Sequence, residues 1–432
     1  MSAFRFEGTT VSVQAVGPVS GRLAVPGSKS LTNRYLLLAA LANSPTVLRR
    51  GLVSDDTRHM LKALSQLGVN SSCSESSWRL DPPARFQQPE QPLFAGNAGT
   101  VMRFLTPLLA SLPFQTEIHG DERMALRPIA DLVEALIRMG GQIDYLGRPG
   151  CPPLAFRKPI QSGRCSIRAD VSSQYLSGLL MVLPTLDGPS ELVLDGPAVS
   201  QTYIDMTLHC IRQFGLDWQR VDEQTYRTSG QLRYAGRELD VPADGSTASY
   251  PLALPLMVGG QMEVPFVDLG SHQGDYGLIG IFEKMGARVS FQGQTCRVES
   301  ATLHGLEVDM NSMSDVAPTL AVVATRAQSP TTILGIGHMR HKECDRIETL
   351  QTAFDQLGLK MQSGPDWMRI EPGQIQKPAL LDPQDDHRMA MVFALLGLAD
   401  GGVSIQNANC VSKTYPNFYS DFSRLFELQG SC

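Results

Sequence analysis

Two kinds of helical pattern alternate along the chain. In the first kind, apolar residues surround the predicted helix on nearly all sides, which predicts a buried helix. These segments start near Gly27, Asn97, Ser172, Gly245, Asp315 and Asp386. In the second kind, apolar residues fall on one face, and the segment ends in a hydrophobic residue followed by Gly, as surface helices often do. These segments end at Gly68, Gly140, Gly215, Gly286, Gly358 and Gly430.

The two patterns share one period. Successive starts of the apolar helices lie 70–75 residues apart, and successive terminal glycines lie 71–75 residues apart. Most of the amphipathic segments are followed by a short strand-like run and then by turn residues. Agreement of two registers over the whole chain indicates six structural repeats. We therefore predict an α/β fold in which each repeat contains two helices and several short strands.

The chain ends differ from the inner repeats. The last repeat stops at its amphipathic helix, and the N-terminal segment FEGTTVSVQ is a candidate for its missing strand. Such a pairing would place both chain ends in one domain, residues 1–27 plus 244–432, and leave residues 28–243 as the second domain. We expect a substrate cleft between these two domains.

Composition excludes several classes of protein. The chain is 42% hydrophobic and 19% charged, as globular proteins are, and its net charge of −6 argues against nucleic acid or an anionic membrane as a partner. No apolar run approaches the roughly 18 residues of a membrane span, and the N-terminus lacks the apolar core of a signal peptide. The eight cysteines include no CxxC pair. We therefore expect reduced thiols, a cytoplasmic protein and no metal site.

Basic residues recur at the predicted helix starts. Lys29, Arg34 and Arg388 lie near the starts of apolar helices, and Arg127 and Arg346 lie near equivalent starts of amphipathic ones. A cation is locally unfavourable there, because the helix dipole is already positive at its N-terminus. The arrangement is favourable if an anion binds, since helix N–H groups and Arg forks suit phosphate and carboxylate. Because the chain as a whole is acidic, a small phosphorylated molecule is favoured over a polymer.

Carboxylates accompany these cations in two segments. Asp315 stands at the start of an apolar helix, and Glu343 lies beside Lys342 in HKECDRIE. A helix cap and a solvated loop are the ordinary explanations for the two segments. If both instead face the anion, Asp315 and Glu343 are candidates for proton transfer. Three further polar residues at helix starts are expected to serve chiefly as caps: Ser246, Thr247 and Asp386.

Seven segments resemble the signatures of the 5-enolpyruvylshikimate-3-phosphate synthase family. They are PGSKSLTNR (26–34), GNAGTVMR (96–103), ERMALRPI (122–129), VSSQYLSGLL (171–180), KECDRI (342–347), DDHRMAM (385–391) and SKTYPNF (412–418). The similarity runs in order from about residue 10 to residue 428. It implies two domains, each of three βαβαββ units with buried and outer helices, the inside-out α/β barrel of enolpyruvyl transferases.

The resemblance also implies the reaction. The enolpyruvyl group of phosphoenolpyruvate would pass to the 5-hydroxyl of shikimate-3-phosphate through a tetrahedral intermediate, with release of phosphate, on the route to chorismate and aromatic amino acids. No metal or organic cofactor is required. We expect a cytoplasmic monomer whose partners are these two small molecules.

Site residues follow from the matching motifs as implications of the resemblance. Shikimate-3-phosphate would contact Lys29, Ser30, Arg34, Ser172, Ser173, Gln174, Ser200, Tyr203, Asp315, His338 and Lys342. Phosphoenolpyruvate would contact Lys29, Gly99, Arg127, Gln174, Arg346, Arg388 and Lys413. The catalytic residues would be Lys29, Asp315 and Glu343. Glu343 is assigned the proton at C3 of phosphoenolpyruvate with help from Lys29, and Asp315 orients and deprotonates the hydroxyl.

The chain departs from the family pattern at a few positions. Phe104 stands where Pro is usual, His338 and Met339 stand where Asn and Trp are common, and Cys344 replaces Thr. Gly99 is the family's usual residue beside phosphoenolpyruvate, so we predict sensitivity to glyphosate.

Two other functions stay open. UDP-N-acetylglucosamine enolpyruvyltransferases share the fold, but they have Lys-Asn where this chain has Lys29-Ser30. They also carry a reactive Cys on a loop in the first third of the chain, whereas no cysteine lies between Cys73 and Cys151 here. A non-catalytic anion-binding relative is the second alternative. It would be expected to lack Lys29, Asp315 or Glu343.

Overall fold

The chain divides into two compact units. The computed structural model describes residues 3–74, 77–168, 172–196 and 201–427. The chain-end unit comprises Met1–Pro26 and Pro242–Cys432, and the central unit comprises Gly27–Val241. Each unit has its own hydrophobic core.

The α-helices follow one another at the spacing of the repeat. In the described residues they are α1 (Lys29–Ala40), α2 (Asp55–Gln66), α3 (Gly99–Ser111), α4 (Ala130–Arg138), α5 (Ser173–Val182), α6 (Gln201–Gln213), α7 (Gly245–Val258), α8 (Gly277–Met285), α9 (Ala317–Ala324), α10 (Arg346–Leu357), α11 (His387–Asp400) and α12 (Phe418–Glu427). Odd-numbered helices correspond to the apolar pattern and even-numbered helices to the amphipathic one.

The strands are short. From the N-terminus they are β1 (Phe4–Glu7), β2 (Thr10–Val13), β3 (Val19–Arg22), β4 (Thr46–Arg49), β5 (Asn70–Cys73), β6 (Ser77–Asp81), β7 (Leu93–Phe94), β8 (Thr116–His119), β9 (Gln142–Tyr145), β10 (Leu154–Lys158), β11 (Arg164–Arg168) and β12 (Ser190–Asp195). They continue with β13 (Gln219–Arg220), β14 (Thr225–Thr228), β15 (Glu238–Asp240), β16 (Gly260–Val264), β17 (Arg288–Gln292), β18 (Thr295–Glu299), β19 (Glu307–Asp309), β20 (Thr331–Leu334), β21 (Met361–Ser363), β22 (Met368–Ile370), β23 (Ala379–Leu381) and β24 (Val403–Ile405).

All of the four-stranded sheets in the described residues have one pairing pattern. An edge strand pairs parallel with an inner strand, and the other two pairings are antiparallel. The central unit contains the orders β15-β4-β6-β5, β7-β8-β10-β9 and β11-β12-β14-β13. The chain-end unit contains β1-β2-β24-β23, β17-β18-β16-β3 and β19-β20-β22-β21. Three equivalent sheets per unit confirm the sixfold repeat predicted from the helical pattern.

The N-terminus completes the last repeat, as predicted. The hairpin β1–β2 adds to β24 through an antiparallel pairing in which Val11 faces Ile405. Two other sheets also gain an edge strand from a distant part of the sequence. The strand β3 lies parallel to β16, and β15 lies parallel to β4.

Burial follows the two helical patterns. In α7, every residue from Gly245 to Met257 is buried, whereas α4 buries only one face. Burying each large apolar side chain contributes about 1.5–3 kcal/mol, so the apolar helices are one substantial source of stabilising burial in each unit, together with the inward faces of the strands and amphipathic helices. The glycines that follow five amphipathic helices (68, 140, 215, 286 and 358) all have positive φ, as predicted for helix ends, and Gly430 lies outside the described residues. No helix of the described chain is both long and apolar enough to cross a bilayer.

A close helix pair positions part of the central unit's polar residues. A Cβ on Gly178 of α5 would lie 2.7 Å from the carbonyl oxygen of Arg103 in α3. Pro107 within α3 has no N–H to donate to that carbonyl, which is the helical acceptor for residue 107. Glycine therefore allows α5 to approach α3, and this brings Gln174 next to Arg103.

Candidate active site

Charged residues from three helix starts lie together in the chain-end unit. We call them the carboxylate–cation cluster: Asp315, Lys342, Glu343, Arg346, Asp386, Arg388 and Lys413. These side chains come from the segment before α9, from the segment before α10 and its first residue, from the cap and first turn of α11, and from the 3-10 helix Ala408–Lys413. With four cations and three carboxylates, the ionised cluster carries one net positive charge, which favours an anionic ligand.

Arg346 is the centre of this cluster. It is the first residue of α10 and only 1% exposed. Its Nε donates to Asp386 at 2.7 Å, Nη1 donates to Asp315 at 2.9 Å, and Nη2 donates to Glu343 at 2.9 Å. Burial would lower the pKa of Arg346, but the three carboxylates outweigh it and raise that pKa. The guanidinium group is thus permanently charged and orients three carboxylates at once.

Asp315 is held between cations and does not act as a helix cap. It lies in the 3-10 helix Asn311–Val316 that precedes α9, which has no side-chain cap. Arg388 donates to its Oδ2 at 2.9 Å, and Lys342 lies 3.6 Å from Oδ1. Burial would raise the pKa of Asp315, but Arg388, Lys342 and Arg346 together hold it well below its usual value. Asp315 is therefore ionised at neutral pH, and of the two explanations that the sequence left open for it, the helix cap is excluded.

Glu343 has a cationic partner at each of its two oxygens. Its Oε1 lies 2.9 Å from Nζ of Lys413, and its Oε2 accepts from Arg346. The side chain is only 12% exposed, so this segment is not a solvated charged loop. A carboxylate fixed at both oxygens can exchange a proton at a defined position.

The expected caps turned out differently from one another. Asp386 does cap α11, because its Oδ1 accepts from the backbone N–H of Arg388 at 2.9 Å, and it also binds Arg346. In α7 the cap is Asp244, which accepts from the N–H of Thr247 at 2.9 Å. The Ser246 hydroxyl instead donates to Asp275 through a short hydrogen bond. The expectation that Ser246 and Thr247 are caps was therefore wrong, because a residue nearer the N-terminus takes that role.

Asp275 is a buried carboxyl group that the sequence did not single out. It is 7% exposed, in the 3-10 helix Gly274–Tyr276. Burial, followed by the charge of Asp315, raises the pKa of Asp275 to about 7, and Arg388 opposes this shift. Its neutral form is therefore favoured by folding below neutral pH.

This raised pKa predicts a pH-dependent effect of Asp275→Asn. The stability that neutral Asp275 provides is complete below the unfolded pKa near 4 and is lost as the pH rises through 7. Wild type is expected to lose up to about 1.4 kcal/mol per pH unit in this window relative to the variant, whose amide stays neutral. Melting temperatures at pH 5 and pH 8 measure the difference. An unchanged gap between the two proteins at both pH values would contradict it.

His338 is placed beside the cluster with a neutral ring. Its Nε2 lies 2.6 Å from Oγ of Ser314, and the two are hydrogen-bonded. Burial and then the charge of Lys342 lower the pKa of His338 to about 4. Near pH 7 its ring can therefore offer a hydrogen bond without a charge, as the Asn usual at this position would.

A second group of polar residues surrounds the start of α3 in the central unit. We call it the Gly99 site: Gly99, Arg103, Arg127 and Gln174. A Cβ on Gly99 would lie 2.5 Å from Nη1 of Arg103 and 2.8 Å from Nη2 of Arg127. Two guanidinium groups thus flank the first residue of a 13-residue helix. Both groups and the helix N-terminus favour an anion at this position.

Arg127 and Lys29 are tied to neighbouring residues. Arg127 donates from Nη1 to the backbone oxygen of Asn97 at 3.1 Å and to its side-chain oxygen at 3.2 Å. It lies three residues before Ala130, the first residue of α4, because the proline that follows it disfavours helical geometry. Lys29, the first residue of α1, lies 3.4 Å from the carboxylate of Asp56, a residue that the sequence did not single out.

Arg34 is a buried residue of α1. It is 1% exposed and donates to Thr207 at 2.8 Å, to the backbone oxygen of Ser30 at 2.9 Å and to Ser177 at 3.1 Å. Its Cζ lies 5.2 Å from the ring centre of Phe104, within the range of a cation–π contact. Arg34 is thus enclosed by the protein, with its guanidinium group bonded to the backbone oxygen of Ser30.

The remaining predicted residues of the central unit lie at the starts of α5 and α6. Ser172 caps α5 by accepting from the N–H of Gln174 at 3.3 Å, and Ser173 is the first residue of that helix. The backbone oxygen of Tyr203 accepts from Arg34 at 3.2 Å. Ser200 lies outside the described residues.

Comparison with known proteins identifies the family. A model of the family described as EPSP synthase (3-phosphoshikimate 1-carboxyvinyltransferase) matches residues 13–422. The chain belongs to the EPSP synthase family. As a member, it is a transferase, which decides against a non-catalytic relative. The activity that names the family is not that of the UDP-N-acetylglucosamine enolpyruvyltransferases, which decides against the other alternative.

Relatives of known name support the assignment over nearly the full chain. The 3-phosphoshikimate 1-carboxyvinyltransferase of Pseudoalteromonas translucida is 37% identical over 420 residues, which are 96% of this chain and 99% of the relative. The protein of that name from Yersinia pseudotuberculosis is 39% identical over 425 residues, 97% of this chain and 99% of the relative.

Solved structures show the same fold. The EPSP synthase of Acinetobacter baumannii superposes with a TM-score of 0.82 at 24% identity, over 96% of this chain and 98% of that one. The enolpyruvyl transferase NikO of Streptomyces tendae gives a TM-score of 0.78 at 15% identity, over 95% and 96% of the two chains. The two-domain α/β fold implied by the sequence motifs is thereby confirmed.

Proposed function

We propose that this chain transfers the enolpyruvyl group of phosphoenolpyruvate to the 5-hydroxyl of shikimate-3-phosphate, and that the carboxylate–cation cluster and the Gly99 site bind the substrates. The observation that carries the proposal is the position of Arg346, which holds Asp315 and Glu343 at 2.9 Å each. Two carboxylates fixed around one guanidinium group supply separate proton-transfer positions beside a cation that can bind an anionic substrate.

Phosphoenolpyruvate requires cations for both its phosphate and its carboxylate. Arg127 beside Gly99 in the central unit, and Arg346, Arg388 and Lys413 in the chain-end unit, are the cations we assign to it. Gln174 and Lys29 add hydrogen-bond donors.

For shikimate-3-phosphate we assign the residues implied by the sequence motifs, with Ser172, Ser173 and Lys342 as phosphate and hydroxyl ligands and His338 as a neutral partner. Arg34 supports these ligands through its hydrogen bond to the backbone oxygen of Ser30.

The reaction needs a proton at C3 and a proton acceptor for the hydroxyl. In the addition step, Glu343 in its protonated form gives a proton to C3 as the 5-hydroxyl oxygen bonds to C2, and the hydroxyl proton passes to Asp315. In the elimination step, the C3 methyl returns a proton to Glu343 as the C2–O bond to phosphate breaks, and the proton on Asp315 passes to the departing phosphate, so both carboxyl groups regain their starting forms. Asp315 suits the orienting role because three cations keep it ionised. Lys29 assists Glu343 at C3.

Gly99→Ala is expected to raise the KM for phosphoenolpyruvate about tenfold or more. The new methyl group would lie 2.5 Å and 2.8 Å from two guanidinium groups, so Arg103 and Arg127 must move. Displacing a charged hydrogen-bond donor costs about 1.5–3 kcal/mol. Gly280→Ala on α8 is the matched control, because a Cβ there meets nothing within 4 Å. Equal KM values in the two variants would contradict the expectation.

Glyphosate provides a related test of the Gly99 site. It resembles phosphoenolpyruvate in carrying a phosphonate and a carboxylate, so it requires similar cations. We propose that millimolar glyphosate inhibits the wild-type enzyme competitively with phosphoenolpyruvate. Normal turnover at that concentration would contradict this assignment.

The function itself is tested by phosphate release from phosphoenolpyruvate with three acceptor conditions. Release is expected with shikimate-3-phosphate and not with UDP-N-acetylglucosamine or without acceptor. Release with UDP-N-acetylglucosamine alone, or with neither acceptor, would contradict the proposal. We further propose that the enzyme acts in the cytoplasm as a monomer.

A further inference from the structure

Arg103 joins three segments of the Gly99 site, although no motif match assigns it a role. It lies in the second turn of α3 and is 7% exposed. Its Nη1 donates to Oε1 of Gln174 at 3.0 Å, and its Nη2 donates to the backbone oxygen of Pro128 at 3.3 Å. Its Cζ lies 5.5 Å from the ring centre of Tyr175. A single guanidinium group therefore bonds α5 and the segment after Arg127 to α3.

The contact with Gln174 determines which end of its amide is available to a ligand. A guanidinium group can only donate hydrogen bonds, so the Gln174 amide must direct its oxygen towards Arg103. The NH₂ group then lies on the opposite side of the amide. The Gln174 side chain is thus set to donate to an anionic or hydroxyl oxygen, and it would lose this preference if Arg103 were absent.

The contact with Pro128 bears on Arg127, the preceding residue. The Tyr175 hydroxyl donates to the same backbone oxygen at 2.6 Å, so that carbonyl receives two hydrogen bonds. Burial raises the pKa of Tyr175, which keeps its hydroxyl protonated as a donor. Arg103 and Arg127 also flank the empty Cβ position of Gly99, at 2.5 Å and 2.8 Å. The place of Arg127 beside Gly99 therefore depends on Arg103 through the backbone.

We infer that Arg103 is a positioning residue for phosphoenolpyruvate binding: it sets the Gln174 amide with its NH₂ group available to the substrate and holds the backbone next to Arg127. The inference rests on the proposed function and adds to it a residue that acts through two others. It also makes Gln174 a donor, not an acceptor, towards the bound substrate.

A double-mutant cycle tests the coupling. Wild type, Arg103→Lys, Gln174→Ala and the double variant are compared by kcat and KM for each substrate. Arg103→Lys is expected to raise the KM for phosphoenolpyruvate about tenfold or more, with a smaller change in kcat, because one ammonium nitrogen cannot reproduce the two nitrogen positions from which the planar guanidinium group reaches Gln174 and Pro128. In the Gln174→Ala background the same change should have at most half of that effect on a logarithmic scale. Equal effects in both backgrounds, or an effect below twofold, would overturn the inference.

Gln174→Glu tests the amide orientation without altering Arg103. The carboxylate keeps an oxygen for Arg103 and strengthens that pair, but it has no NH₂ group to donate. We expect an unchanged or higher melting temperature and a KM for phosphoenolpyruvate raised at least tenfold. Gln88→Glu, at an exposed residue of the same unit, is the matched control. Wild-type affinity in Gln174→Glu would overturn the inference. If wild type itself releases no phosphate with shikimate-3-phosphate, the proposed function fails instead.

Discussion

Glu343→Gln is expected to lower kcat for phosphate release by about 100- to 10,000-fold, the usual contribution of a positioned general acid or base. The variant keeps the size of the side chain but cannot carry the proton that C3 gains and later loses. Its shikimate-3-phosphate affinity should change little, since Glu343 is not among the residues assigned to that substrate. Stopped-flow phosphate release and calorimetric binding of shikimate-3-phosphate measure the two quantities.

The surroundings of Glu343 make this substitution informative. Both of its oxygens face donors, Lys413 and Arg346, each at 2.9 Å. A glutamine offers one oxygen and must turn its NH₂ group towards the other cation, so some local rearrangement is expected as well. The matched control is Glu348→Gln, an exposed acid in the first turn of α10, which should retain wild-type turnover. A kcat for Glu343→Gln within tenfold of that control would contradict the proton-transfer role.

Arg346→Met is expected to destabilise the chain-end unit by about 3–5 kcal/mol, the cost of removing one partner from buried ion pairs. The guanidinium group is 1% exposed, and three carboxylates depend on it. Methionine fills similar space but leaves their charges without their shared cation. Hydrogen exchange measured by mass spectrometry should show faster exchange in α10 and α11 and unchanged exchange in α1 of the central unit.

A second substitution separates the loss of charge pairing from the loss of packing in the destabilisation caused by Arg346→Met. Adding Asp386→Asn to Arg346→Met removes one buried negative charge, so part of the lost stability should return. Arg424→Met is the control in the same unit, since its pair with Asp421 is exposed on the arginine side and should be worth about 1 kcal/mol at most. Equal destabilisation by Arg346→Met and Arg424→Met would show that the cluster is not a buried network.

Much of the fold could be predicted because the local structure of each repeat depends on residues that are close together in the sequence. Apolar residues on all sides predict a buried helix such as α7, and a glycine such as Gly286 predicts the end of a surface helix, for reasons that involve only neighbouring residues. Even the closure of the sixth sheet followed from counting strands, because a repeat that lacks one strand must obtain it elsewhere. The pairing of Val11 with Ile405 shows that the N-terminal hairpin supplies it.

The site was predicted less completely. Arg346 and Arg388 were found because cations at helix starts are unfavourable without an anion, and Asp315 was considered because it accompanies them. The resemblance to a family added their roles. Asp275 was missed, because it lies in a short 3-10 helix with no local sign of burial. Arg103 lay in a recognised motif but was not singled out, although a lone arginine in an otherwise apolar helix is a pattern that could have indicated a specific contact.

The sequence by itself determined the repeat, the burial of alternate helices and the family, since these depend on periodicity and on residue types at short range. Only the tertiary structure decided which charges meet. Asp315 binds three cations instead of capping α9, and Arg34 is buried with a bond to the backbone oxygen of Ser30. Both arrangements depend on side chains that come together from segments far apart in sequence. Ionisation depends in turn on those partners and on burial, and neither is encoded at short range.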